Sequence, residues 1–230
     1  MSMIGTGPIR LAIFDCDGTL VDSQANICRA MAEAFIVEKL APPDDAAIRR
    51  IVGLSLTQAV AKLLPDAGHD LHVRVGETYK HVFRAMRGAG EVDEPLFPGI
   101  VEVLRALDAE GWMLAVATGK SDRGLKHCLE VHGIDRMFVS LQTADRHPSK
   151  PHPSMIYQAI ADAGATIETS AMIGDTSFDI GMATNAGCVA VGVAWGYHAP
   201  DELFDEGAHY VADRPDQLPG ILQLALSARS

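Results

Sequence analysis

The sequence predicts an α/β protein: a Rossmann-like parallel sheet core with an inserted all-helical segment after its first strand. Three observations carry this. A continuous apolar run, Leu11-Ala12-Ile13-Phe14, stands near the start of the chain, as a strand buried on both faces requires. In the second half a glycine followed by a short apolar run recurs at Gly111, Gly133, Gly164 and Gly187. Between the two, from Asp22 to Asp93, the apolar residues keep a helical period and no convincing strand occurs.

The first strand is expected over Arg10 to Asp15. The inserted segment places Ile27, Ala30, Met31, Ala34 and Phe35 on one helical face. Leu71, Val75, Tyr79, Val82, Phe83 and Met86 form another, with Pro42-Pro43 and Pro65 as punctuation. Glu91 to Pro98 reads as the return linker. Each glycine of the second half reads as the residue just past a helix end. The strands expected after them are Trp112 to Ala117, Met137-Phe138-Val139, Ala171-Met172-Ile173 and Cys188 to Val193. A last strand, His209 to Ala212, and a helix near Leu218 to Leu226 follow. The expected division is residues 1–21 and 94–230 for the sheet core and 22–93 for the helical insert.

The chain's 230 residues, 48% hydrophobic and 21% charged, are enough for a buried core without covalent staples. A net charge of −11 disfavours nucleic acid and anionic membrane as partners. No apolar run reaches the roughly 18 residues that span a bilayer. Met1 to Arg10 lacks the long apolar stretch of a secretory signal, so a cytoplasmic location is expected. Cys16, Cys28, Cys128 and Cys188 include no C-x-x-C pair and are expected as reduced, mostly buried thiols.

Polar residues fall just past the ends of the apolar strands: Asp15 and Asp17, Thr118, and Asp175. In a parallel sheet all strand carboxyl ends share one edge, where α/β proteins bind ligands, so these distant residues converge. Asp15 and Asp17 are two apart, before Gly18. Such carboxylates repel each other unless a cation lies between them or one is protonated, and hard oxygen ligands suit Mg²⁺. Thr118-Gly119-Lys120-Ser121 fits a helix cap and an anion site equally well. Lys150 precedes Pro151 at a helix start, where most lysines are solvated. Asp175 and Asp179 fit helix capping or a second pair of metal-facing carboxylates, and the shared edge favours the metal. The side chain of Cys16 alternates away from the two acids and reads as packing.

Asp15-x-Asp17-Gly18-Thr19, Thr118-Gly119, Lys150-Pro151 and Gly174-Asp175-x3-Asp179, in that order, resemble the four motifs of the haloacid dehalogenase superfamily. The resemblance runs from Leu11 to Val193, and the helical insert is similar to that family's first type of cap. Phe14 to Ser23 looks most like the phosphoglycolate phosphatase-like branch. The resemblance implies phosphoryl transfer through an aspartyl-phosphate. Asp15 would be the nucleophile and Asp17 the general acid and base, with Thr118 and Lys150 on the phosphoryl group. Asp15, the backbone carbonyl of Asp17 and Asp175 would hold Mg²⁺, with Asp179 either a further ligand or a support behind them. Thr19, Gly119, Arg49, Gly53 and Leu54 would be on the substrate side.

The implied partner is a small phosphorylated metabolite, handled by a monomer or homodimer. Asp17 supplies the proton that an alkoxide leaving group needs and a halide does not, which argues against a dehalogenase. A sugar-phosphate mutase, or a phosphonate hydrolase using a cap lysine such as Lys39 or Lys62, would keep the same core. A receiver-type signalling module would lack both the insert and the acid at position 17. His69, His72 and His81 show no metal-ligand spacing. Trp195-Gly196-Tyr197-His198 reads as a pocket rim or as a cover for the sheet edge, with the cover favoured.

Overall fold

The first apolar run forms β1 (Arg10–Phe14), and every other strand is built outward from it. The protein is described here by a computed structural model covering residues 7–228, so the stretch of the Met1–Arg10 segment before residue 7 lies outside the described residues. After β1 come four helices: α1 (Gln24–Val37), α2 (Asp45–Arg49), α3 (Leu56–Leu63) and α4 (His69–Gly88). Helices and strands then alternate: α5 (Ile100–Ala109), β2 (Trp112–Thr118), α6 (Asp122–Val131), β3 (Ser140–Thr143), α7 (Ser154–Ala163), β4 (Ser170–Gly174) and α8 (Ser177–Ala186). The chain continues through β5 (Val189–Val193), α9 (Pro200–Asp205), β6 (Tyr210–Ala212) and α10 (Leu218–Ser227).

The strand order is β3-β2-β1-β4-β5-β6, with every neighbouring pair parallel. Ile13 of β1 lies beside Ala115 on one flank and Met172 on the other. The order reverses between β1 and β4, and a doubly wound sheet opens its ligand crevice at such a reversal, outside the strand carboxyl ends. Asp15 and Asp175 are the residues that follow those two strands.

Alternation along β1 divides the core. Ala12 and Phe14 face one layer, with Ile100, Leu104 and Leu107 of α5, Leu125 and Leu129 of α6, and Leu218 and Leu222 of α10. Leu11 and Ile13 face the other, with Met155 and Ile156 of α7, Ile180 and Met182 of α8, and Leu203 of α9. The glycines anticipated at helix ends are left-handed, with φ of 81° at Gly111, 65° at Gly133, 68° at Gly164 and 78° at Gly187.

The four inserted helices bury a cluster of their own, including Ile27, Met31, Phe35, Ile48, Val60 and Val75, and Phe178 and Tyr197 from the sheet layer pack against it. The chain leaves and rejoins the sheet through a stitched crossing. Asp22 N–H donates to Pro95 O at 2.8 Å, Phe97 N–H donates to Leu20 O at 3.0 Å, and Val21 bridges Leu96. Among the described residues no helix is long and apolar enough to cross a membrane.

One strand lies elsewhere than expected. Met137-Phe138-Val139 is not the third strand: Asp135–Met137 is a 3-10 turn and β3 follows at Ser140–Thr143. The buried residues of β3 are polar. Ser140 Oγ and Gln142 Nε2 donate to Asp162 Oδ2 at 2.7 and 2.8 Å, so hydrogen bonds do there what apolar burial does in the other strands.

Candidate active site

Two turns and two helix starts bring the predicted polar residues to the strand carboxyl ends. Asp15 N–H donates to Ile173 O at 2.9 Å, which fixes the end of β1 against β4. Asp15, Asp175 and Asp179 each present a carboxylate oxygen within 4.8 Å of the others, and all three residues are fully buried. Lys150, also buried, places Nζ 2.9 Å from Asp15 Oδ1 and 2.5 Å from Asp179 Oδ1. Thr118, the last residue of β2, is buried at the same edge.

The three carboxylates are held differently. Asp175 accepts from Thr19 Oγ1 at 2.8 Å and from Tyr197 N–H at 2.9 Å. Asp179 accepts from Thr176 N–H at 3.1 Å and Thr176 Oγ1 at 2.7 Å, in the capping box that starts α8. Asp15 alone has no aligned hydrogen-bond donor on either oxygen, although its side chain is out of contact with solvent. Space for Asp175 depends on two glycines. A Cβ at Gly18 would fall 2.2 Å from Asp175 Oδ2, and one at Gly196 would fall 2.1 Å from Asp175 Cβ.

The electrostatics follow from crowding acids away from water. Burial pushes the Asp15 carboxyl up to about 7 against the opposing pull of Lys150, and Asp179 and Asp17 add to the rise. Burial, then the charges of Asp179 and Asp15, hold Asp175 well above the usual carboxylate range. Burial works against the Lys150 ammonium, but Asp15 and Asp179 outweigh it and keep the group charged. Three carboxylates face one ammonium. That donor set of hard oxygens, with Asp15 Oδ2 free of any protein partner, fits a divalent cation such as Mg²⁺.

Asp17 stands apart. Its carboxylate accepts from Ser23 Oγ and lies 2.8 Å from Lys120 Nζ, and Lys120 reaches Glu94 Oε1 at 2.8 Å. Asp17 also lines a cavity of about 800 Å³ between the sheet edge and the inserted helices. Gly53, Leu54 and Gly119 line it as well, and a Cβ at Gly119 would sit 2.7 Å from Leu54 O.

Two expected substrate residues are placed elsewhere. Arg49 does not line the cavity; it ends α2, and its charge acts on Cys28. Thr19 is fully buried, and its hydroxyl is taken up by Asp175. His72 Nε2 meets Leu64 O at 2.9 Å and His81 Nδ1 meets Glu77 O at 2.7 Å, while His69 lines the cavity. All four cysteines are buried thiols outside any disulfide, and Cys16 Sγ packs 4.0 Å from Cys128 Sγ.

The segment read as a cover for the sheet edge is a wall of the site. Trp195 Nε1 donates to Thr19 O at 3.1 Å, Tyr197 orients Asp175, and its hydroxyl lies 3.2 Å from Ser23 Oγ. Lys120, Glu94, Ser23 and Tyr197 are the residues that motif reading missed. Lys120 carried the one visible signal, a cation directly after Thr118-Gly119 at the positive end of a helix, where the dipole disfavours it.

Comparison with known proteins agrees with this geometry. The family model for haloacid dehalogenase-like hydrolases matches residues 12–193. The probable phosphatase IndB of Dickeya dadantii is 37% identical over 223 residues, 96% of each chain. A phosphoglycolate phosphatase of Vibrio parahaemolyticus is 28% identical over 220 residues, covering 91% of this chain and 94% of its own. The crystal structure of a hydrolase from Pseudomonas syringae superposes with a TM-score of 0.82 at 26% identity, over 94% of this chain and 99% of the other. With its four motifs gathered at one sheet edge, the chain belongs to the haloacid dehalogenase-like hydrolases.

Proposed function

We propose that the protein is a Mg²⁺-dependent phosphatase of small phosphate monoesters working through an aspartyl-phosphate, with residues 22–93 as a cap over residues 1–21 and 94–230. The observation that carries the reading is Asp15: a buried carboxylate with no aligned hydrogen-bond donor, paired through Oδ1 with Lys150 and set beside two further carboxylates. The phosphatase names of two relatives support the reaction class. Buried thiols outside any disulfide accord with a cytoplasmic setting.

An Asp15 oxygen attacks phosphorus while the bond to the leaving oxygen breaks, and Asp17 gives that oxygen its proton. Water then attacks the phosphorus of the aspartyl-phosphate. Asp17 takes the water's proton, and the acyl phosphate bond breaks to release inorganic phosphate and free Asp15. Lys120 and Ser23 fix the Asp17 carboxylate at the cavity wall. Lys150 offsets negative charge on nucleophile and phosphoryl group, and Thr118 hydrogen-bonds the phosphoryl oxygens. Asp15, the Asp17 carbonyl and Asp175 would hold the metal, which when bound supplies positive charge against the repulsion between carboxylate and phosphate dianion. Asp179 is joined to this set through Lys150, whose ammonium it orients. Lys39 and Lys62, the lysines a Schiff-base phosphonate hydrolase would call on, do not line the cavity.

The test is phosphate release from a panel of monoesters, p-nitrophenyl phosphate included, with Mg²⁺ or with a chelator. Release that needs the metal is expected; a folded protein that releases phosphate from no member, or as well in chelator, overturns the reading. Gly119→Ala tests the position of the cap loop. The added methyl meets Leu54 O and Gly53 O, both backbone, and must push the loop away. With melting unchanged, kcat/KM is expected to fall on the order of 100-fold, as for other misplacements of about 1 Å; an unchanged kcat/KM would show the loop to be a bystander.

A further inference from the structure

The cavity is larger than a small phosphorylated acid requires. Its volume of about 800 Å³ lies within the roughly 300–1,000 Å³ of pockets that enclose drug-sized ligands. Phosphoglycolate, with a handful of heavy atoms beyond its phosphate, would leave most of it to water. Within the lining, α1, α3 and α4 contribute an apolar and aromatic stretch, Ile27, Met31, Leu56, Tyr79 and Phe83, with the charged Glu77, Lys80, Arg84 and Arg87 of α4 beside it. Burying such a wall against an ordinary polar acid gains nothing from the hydrophobic effect.

The aromatic pair specifies more than size. Tyr79 and Phe83 stand one helical turn apart on α4, with ring centroids 5.7 Å apart and planes tilted by 38°. The Arg87 guanidinium carbon lies 5.1 Å from the Phe83 centroid, and its Nη2 lies 3.1 Å from Glu94. Gln58, His69 and Arg84 add polar groups to the same lining. An alkyl chain would use the apolar stretch alone and make nothing of the amide, imidazole and guanidinium, which stand exposed at the cavity rim. A flat ring with heteroatoms on its rim satisfies both.

Tyr79 supplies a second observation. Its hydroxyl makes no hydrogen bond among the described residues, yet the charges acting on it are those of Lys120, Asp17, Glu94 and Arg87. Burial holds its pKa above the ordinary tyrosine value, so it is a neutral donor at the Asp17 end of the cavity. A half-buried neutral hydroxyl that lines the cavity is free to exchange water for an oxygen that the substrate brings.

We infer that the site takes phosphate monoesters whose leaving group carries a planar heteroatom-bearing ring, as nucleoside monophosphates do. Phe83 forms the surface the ring lies on, and the Tyr79 hydroxyl donates to the linker between ring and phosphate. This rests on the phosphatase reading for the reaction but not for the binding. The matched probes are adenosine 5′-monophosphate and ribose 5-phosphate, which share a primary alkoxide leaving group and differ by the base, with 2-phosphoglycolate as the small acid.

The experiment measures binding of all three by calorimetry to the Asp15→Asn protein, and turnover of all three by the wild type. The nucleotide is expected to bind at least about tenfold tighter than ribose 5-phosphate and to show kcat/KM on the order of 100-fold above 2-phosphoglycolate. Phe83→Leu, which keeps the wall apolar, should remove most of the nucleotide's advantage and leave ribose 5-phosphate unchanged. Tyr79→Phe should raise KM for both sugar phosphates by about tenfold with kcat little changed. Equal binding of nucleotide and ribose 5-phosphate, or a preference for 2-phosphoglycolate, overturns the inference. A nucleotide preference that survives Phe83→Leu overturns the placement of the ring. Selective nucleotide binding without phosphate release from any probe sustains the ring site and sinks the phosphatase reading instead.

Discussion

Asp15→Asn ends phosphate release and, in metal-free protein, raises the melting temperature. The two effects have one cause. Asp15 is the carboxylate with no aligned donor, and burial together with Asp179 and Asp17 lifts its pKa from 3.8 to about 7. In the unfolded chain the group ionises near its ordinary value. Between pH 3.8 and about 7 the native state therefore holds a proton that the unfolded state has lost. Native stability falls as pH rises through that window and stays lowered above it. Asparagine is isosteric, carries no charge and removes the penalty, while Lys150 keeps Asp179 as its partner. With chelator present at pH 8, the variant is expected to gain a few kcal/mol, and the gain should vanish toward pH 4. Activity should drop on the order of 10⁴-fold or more, because an amide cannot form the proposed aspartyl-phosphate. Melting curves across pH, beside phosphate release, check both. A variant that melts lower than the wild type at every pH would mean Asp15 stabilises the fold, and the trade of stability for reactivity would be wrong.

The sheet and its acids were legible because they rest on local pattern. The run Leu11 to Phe14 is apolar on both faces, so it could only be a central strand, and the acids follow directly from where such strands end. What was hidden rests on contacts between distant segments. Lys120 reaches Asp17 and Glu94, and Tyr197 reaches Asp175 and Ser23, and no spacing within either segment announces those partners. β3 was misplaced because its buried residues are hydrogen-bonded rather than apolar, and period-based reading counts only the apolar ones. The α4 stripe was legible as one helical face and no further. Leu71, Val75, Tyr79, Phe83 and Met86 do lie along one helical stripe, but that stripe serves two surroundings. Val75 and Met86 are buried, while Tyr79 and Phe83 line the cavity. A hydrophobic period gives the face of a helix and not what stands opposite it. Arg49 shows the same limit: the loop after it reaches the cavity, and the arginine does not.

Lys150→Met is expected to be among the most destabilising single changes in the chain, and Mg²⁺ should reverse much of the loss. Methionine matches the lysine stem in length and packs well in irregular cores, so the change isolates the charge. Lys150 is the cation within salt-bridge distance of Asp15 and Asp179, with no solvent exposure on either side of those pairs. Without it, buried carboxylates face one another unscreened. Breaking a buried ion pair by deleting one partner costs about 3–5 kcal/mol, which for a chain of this size lowers the melting temperature by roughly 10 °C. The chain's own escape is to protonate one acid, so the loss should shrink as pH falls below about 7, the Asp15 value with lysine still present. A dication held by the same carboxylates stabilises the native state by mass action, and the variant has more repulsion for it to relieve. Melting temperatures of wild type and variant, at pH 5 and pH 8, with Mg²⁺ and with chelator, separate the terms. A loss below about 0.5 kcal/mol, typical of surface substitutions, would mean that Lys150 does not hold the acids in place. A large loss that magnesium does not touch would mean the carboxylates are not a metal site, and would return the cluster to a structural role.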